Sequence, residues 1–176
     1  VDWVPYMLRL GFTSEAVYRD SIFQAEFCSS RIYPTDGGLV LGPMPGKVLA
    51  KFGYYVQAPK HVPIKQLLRG SALGLYKQCH FIPPIKIFLD KVLNYTKGEK
   101  AYFVKQGDWQ TKTVKLHNVT AHTRYVLEQK YGFHEEFEDH MKRNLPEYPC
   151  HNSLPYLTTL FDIDTSGPKC WFTNGA

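Results

Sequence analysis

Between residues 23 and 46 the sequence alternates extended-chain residues with obligatory turns, and this stretch constrains the fold more than any other. Gln24, Glu26 and Ser29 fall among apolar neighbours, and the run ends on Ile32 and Tyr33. Pro34-Thr35-Asp36-Gly37-Gly38 follows, then Leu39-Val40-Leu41, then Gly42-Pro43-Met44-Pro45-Gly46. An imperfectly alternating run, a glycine-rich turn and a second β-prone run predict an antiparallel hairpin with a loop slightly longer than the two-residue minimum. The prolines at 43 and 45 cannot donate to a continuing ladder, so a boundary falls near residue 43.

On either side the periodicity is helical. Residues 4–10 read as a helix that stops at Gly11, and residues 47–52 begin another, with Pro45 in a first turn where the missing N–H costs nothing. Residues 64–80 carry Leu67, Leu68, Ala72, Leu75 and Tyr76 at helical spacing. Pro83-Pro84 ends or restarts that helix, and residues 85–95 supply a second stripe of Ile85, Phe88, Leu89, Val92 and Leu93. Residues 120–130 are predicted helical, with Thr120 as N-cap and Gly132 at the end. Residues 135–143 form a polar helix with Lys142 and Arg143 where the dipole favours positive charge. Residues 102–104 and 114–116 are expected as short strands or extended chain. From residue 145 onward, Pro146, Pro149, Pro155 and Pro168 predict an irregular tail ordered by Tyr148, Tyr156, Phe161 and Trp171. The expected class is α+β, in three parts: residues 1–43, 44–144 and 145–176.

A chain of 176 residues can bury one substantial core. Its 44% apolar and 21% charged content argues against general disorder. No apolar run approaches the roughly 18 residues of a spanning helix, and no basic segment precedes a long hydrophobic one at the start, so neither a membrane span nor secretion is expected. The four cysteines include no Cys-x-x-Cys pair, which points to reduced thiols in a cytosolic protein; the Asn118-Val119-Thr120 sequon is then chance. An opening at Val1 rather than Met is what a fragment or a cleavage product would show.

The formal charge of +5 is uneven. Residues 1–41 carry a net −2, residues 101–176 a net −1, and residues 42–100 ten basic side chains against Asp90 and Glu99, for +8. A positive block of this kind favours a phosphate backbone, with a merely solvated basic surface as the plain alternative.

The residues of metal-dependent phosphoryl transfer are missing. That chemistry needs carboxylates converging on two ions, and the chain has no Gly-Asp-Asp or other paired aspartates. Asp162 and Asp164 would share a face only if extended, and are read as surface or turn acids beside Thr165-Ser166-Gly167-Pro168. His117, His122, His134 and His140 lack the spacing of a His-Glu-x-x-His site, and residues 42–47 lack the Gly-Lys-Ser/Thr ending of a phosphate loop. What remains is a hairpin carrying small polar groups and Arg31, followed by a basic turn. Such a tip can hold a sugar-phosphate chain through hydroxyl, amide and guanidinium donors.

Glu26-Phe27-Cys28-Ser29 ahead of a short hairpin resembles motif E, the primer grip, of positive-strand RNA virus RNA-dependent RNA polymerases. Tyr6-Met7-Leu8-Arg9-Leu10-Gly11-Phe12 resembles the end of their motif D. Residues 41–47 are similar to the crossing from hairpin to thumb in some insect and invertebrate virus polymerases. Arg69-Gly70-Ser71, with Leu73, Leu75 and Cys79 and then Ile82-Pro83-Pro84-Ile85, is similar to their thumb helices. The resemblance spans about residues 4–95. It implies a palm-edge hairpin followed by a mostly helical thumb and a Pro/aromatic-rich tail.

It further implies that Phe27, Cys28 and Ser29 support the 3′ end of the growing RNA. Arg31 would reach the same backbone or brace the hairpin, Lys47 and Lys51 would meet phosphates where the thumb begins, and Arg69 would join them. The complete enzyme would use ribonucleoside triphosphates, an RNA template and Mg2+. Its metal-binding aspartates would lie in palm motifs preceding residue 1 or in a separate palm and fingers chain, leaving no catalytic residue and no metal ligand here and this chain inactive by itself. The setting implied is the host cytoplasm, in a replication complex or virion. A non-catalytic RNA-binding module and a basic virion structural protein are the competing readings. Taken as ordinary residues, Phe27 would be core, Cys28 a small buried hydrophobe, Ser29 a turn cap and Arg31 the salt-bridge partner of Glu26.

Overall fold

Residues 3–14, 18–55, 59–103, 116–145 and 155–166 are described by a computed structural model. Three strands, β1 (Glu26–Phe27), β2 (Ser30–Thr35) and β3 (Gly38–Pro43), form an antiparallel meander in the order β1-β2-β3. The predicted hairpin is therefore present, as β2 and β3, but its loop is shorter than expected. Thr35 pairs with Gly38, so Asp36 and Gly37 alone make the turn. Thr35 Oγ1 accepts from the Gly37 amide at 3.3 Å and donates to the Gly38 carbonyl at 2.9 Å. The Asn118 amide and side chain both donate to the Asp36 carboxylate at 2.7 Å. Asn118 is 82 positions away, which is why local turn chemistry gives no sign of it.

Helix α1 (Val4–Arg9) precedes the sheet, and α2 (Pro45–Lys51), α3 (Ile64–Cys79) and α4 (Pro83–Tyr95) follow it. Both prolines of Pro83-Pro84 sit at the start of α4, where they open a helix rather than break one. Next come α5 (Ala121–Tyr131) and α6 (Glu135–Asn144). Thr120 and Thr123 form a capping box at the start of α5, and Gly132, at φ 62°, ends it in the left-handed region that glycine tolerates. Helix α6 carries Glu135, Glu136 and Glu138 in its first turn and Lys142 and Arg143 in its last, matching the helix dipole at both ends. The apolar stripes of α3 and α4 meet Tyr33 of β2, Leu49 of α2, Leu127 of α5 and Met141 of α6 in one core. Cys79 lies inside it, and burial pushes its thiol up to about 12, so it acts as a packing residue.

The tail departs from expectation. Residues 155–165, read as irregular chain, form helix α7 (Pro155–Thr165), with Pro155 at its start. Leu160 and Asp164 are buried while Phe161 is 39% exposed, so the helix is anchored more by a leucine and an acid than by that aromatic. Tyr148 and Trp171 lie outside the described residues, as does the side chain of Tyr156. Residues 102, 103 and 116 belong to no strand, and residues 104, 114 and 115 are outside the description.

Helix α1 buries none of its residues; Tyr6 and Leu8 are exposed on it, and Trp3, Leu10 and Phe12 are exposed beside it. Among the described residues, no helix is long and apolar enough to cross a membrane.

Candidate nucleic-acid interface

In the Phe-Cys-Ser segment, Phe27 ends strand β1 and Cys28-Ser29 forms a turn. Phe27 pairs with Ser30, leaving Cys28 and Ser29 as a two-residue loop at φ 48° and 60°. Two consecutive left-handed residues suit the twist of a tight hairpin, but Asn-Gly is the usual occupant, because a Cβ is crowded there. Backbone strain of this kind persists where surrounding structure or function demands it. Phe27 is 71% exposed, and Cys28 and Ser29 are exposed. The expectations of a core phenylalanine and a buried cysteine are thus corrected. The strand β1 is only two residues long and lies at the sheet edge, so no strand among the described residues pairs with its outer side.

The tip sits against the start of α2, where the Met44 amide donates to the Ser29 carbonyl at 2.9 Å. Lys47 and Lys51 follow one helical turn apart on α2, the first half-buried and the second exposed. The Phe27-Cys28-Ser29 tip, with an exposed ring, thiol and hydroxyl, is thereby tied through its backbone to the N-cap of the helix that carries both lysines.

The two arginines expected beside them turn inward. Arg31 is 3% exposed; its Nη2 donates to the Phe23 carbonyl at 2.5 Å, and its guanidinium lies 5.5 Å over the Tyr131 ring and 5.9 Å over Tyr33. Among the described residues its Nε and Nη1 have no hydrogen-bond partner. Glu26 is its cross-strand neighbour but salt-bridges Lys130 at 2.9 Å, so the anticipated Glu26 brace goes to a different cation. Arg69 donates to the Leu93 and Thr96 carbonyls at 3.3 and 3.1 Å, satisfying the C-terminal end of α4. Both guanidinium groups have internal tasks in this fold.

Asp162 and Asp164 do not converge. On a helix, residues two apart do not face each other; Asp162 is exposed, and Asp164, expected at the surface, is buried. The Asp164 carboxylate accepts from Tyr131 Oη and the Gly46 amide at 2.6 Å each, and from the Lys47 amide. It joins α7 to α5 through Tyr131 and to the start of α2 through the Gly46 and Lys47 amides. The signal that could have found it is a spacing: Leu160 and Asp164 stand four apart, on one face of any helix through this segment. Among the described residues there is no group of three or more His, Cys, Asp or Glu side chains placed to hold a metal ion.

What the fold and this site define together is an α+β domain presenting a strained, exposed hairpin tip next to a basic helix. Set against protein-family models, curated proteins and solved structures, the chain matches none.

Proposed function

We propose that the chain is the C-terminal palm edge and thumb of a viral RNA-dependent RNA polymerase, and that the Phe27-Cys28-Ser29 tip with Lys47 and Lys51 contacts the RNA strand. The observation that carries this reading is the exposed, left-handed Cys28-Ser29 turn lying directly against the first residues of a basic helix. An exposed aromatic can stack on a base or sugar, the turn's amide and hydroxyl groups can meet the backbone, and the lysines can neutralise phosphates. Arg31 acts from below in this reading, as a support for the hairpin, and Arg69 as a support for α4. Helix α1, apolar yet unburied, suits a segment that packs against further palm structure, from the same polypeptide or a second chain. Nucleotidyl transfer, with its Mg2+ ions and ribonucleoside triphosphates, would belong to that further structure.

RNA affinity measured against salt tests the reading. Residues 1–176 are expected to bind an oligouridylate with little sequence preference and with log affinity falling linearly against log salt. Lys47→Gln with Lys51→Gln should reduce the steepness of that line by about one to two units and weaken binding across sequences. A response to salt that is flat, or unchanged in the double variant, contradicts the assignment.

A further inference from the structure

A second basic feature lies away from the tip, in a cleft of about 530 Å³ bounded by α4, α5 and α6. Pro83, Ile87, Asp90, Lys91 and Asn94 recur at spacings of three, four and seven, so one face of α4 forms a wall. Arg124 of α5 and Glu138 and Lys142 of α6 line it from the other helices, and Val119, Pro83 and Ile87 are its apolar lining residues.

Its charges are unbalanced. Lys86, Lys91, Arg124 and Lys142 face only two lining carboxylates, Asp90 and Glu138. Lys86 pairs with Asp90 at 2.7 Å. Glu138 is shared: it takes Arg124 and also Lys142, the latter at 2.8 Å, although its own side chain is only 10% exposed. Lys142 also reaches Asp139 on the outer side of α6 at 3.5 Å. Among the described residues Lys91 enters no ion pair. One carboxylate cannot saturate both a guanidinium and an ammonium, and Arg124 remains 52% exposed with further N–H groups to offer. The cleft therefore combines apolar lining residues with two more positive than negative groups, in a volume typical of small-molecule sites.

We propose that this cleft binds a phosphomonoester with a planar or apolar body, of the mononucleotide class, the phosphate meeting Lys91, Arg124 and Lys142 and the body lying on Pro83, Ile87 and Val119. A phosphate dianion matches the excess of two positive groups over carboxylates among the lining residues. The fork of Arg124 can engage two phosphate oxygens at once. The cleft is separate from the RNA contact proposed at the tip, because it is lined by different helices and takes a small molecule rather than a strand.

Calorimetric titration of residues 1–176 with AMP, adenosine and inorganic phosphate tests it. AMP is expected to bind saturably at one site, inorganic phosphate about tenfold more weakly, and adenosine not measurably. Lys91→Gln, at a lysine whose loss breaks no ion pair among the described residues, should leave folding unaffected and weaken AMP about tenfold; Arg124→Lys should weaken AMP by a similar factor by losing the fork. Lys47→Gln with Lys51→Gln should leave AMP binding unchanged while lowering RNA affinity, which separates the two proposals. Absence of saturable AMP binding overturns the inference, as does wild-type affinity in a folded Lys91→Gln protein. So does a result in which oligouridylate, and not AMP, loses affinity with Lys91→Gln, since the cleft would then belong to an RNA path.

Discussion

Gly46→Ala is expected to destabilise the protein by about 3 kcal/mol or more and to release helix α7 from the body. A Cβ on Gly46 would overlap the carbonyl carbon and oxygen of Leu160 and stand 2.5 Å from the backbone nitrogen of Phe161. All three atoms are backbone, so no side-chain rotation relieves the overlap, and α2 and α7 must move apart. For a chain of this length the loss corresponds to a melting-point drop of roughly 10 °C. Gly74→Ala is the matched control: it lies inside α3, a Cβ there meets nothing within 4 Å, and the change should be neutral or stabilising by up to about 1 kcal/mol. Thermal and urea unfolding of the two variants provides the comparison; equal stability would mean that α7 does not rest on Gly46.

Asp164→Ala should be comparably severe. The substitution leaves Tyr131 Oη and the Gly46 and Lys47 amides without their common acceptor in a buried place, at about 1–3 kcal/mol for each unsatisfied group. Asp164→Asn keeps the shape but sets an amide group among three donors, so part of the loss persists. The two forms also differ in pH dependence. Burial raises the Asp164 carboxyl above the ordinary carboxylate range, against the opposing pull of Tyr131, Gly46 and Lys47. A raised folded-state value means that its stabilising contribution is complete below the unfolded-state pKa and is lost as pH rises through the folded-state pKa. Glu138 slopes the other way. Burial would raise it, but Arg124 and Lys142 together hold it below its ordinary range, so its contribution is lost as pH falls through that lowered value. The stability difference between wild type and Asp164→Asn, followed by urea unfolding from mildly acidic to neutral pH, isolates the first effect: the advantage of Asp164 should shrink as pH rises. An advantage that grows with pH would reverse the assignment.

The parts of the fold legible in the sequence are those set by local chemistry. Pro45 and Pro83 open helices, Thr120 and Gly132 bracket α5, and the leucines of α3 and α4 line a core at the spacing their positions predict. What is not legible depends on distant partners. Asn118 tightens the hairpin loop, Lys130 takes Glu26, and Gly46 admits α7, a helix that four prolines in the tail argue against. At the tip, Phe27 is apolar and β-prone, so composition places it inside; its exposure follows from β1 being a two-residue edge strand, a fact of topology. Arg31 shows the converse, a charged side chain drawn inside by the rings of Tyr33 and Tyr131.

Whether RNA touches the hairpin tip and the start of α2 is tested most directly by photo-crosslinking a 4-thiouridine oligomer to residues 1–176 and mapping the attachment sites by mass spectrometry. Crosslinks concentrated at Phe27, Cys28 and Ser29 and around Lys47 and Lys51, and suppressed by excess unlabelled RNA, are the result predicted. Specific crosslinks confined to other surfaces, or none at these residues under conditions where the RNA is bound, would contradict it.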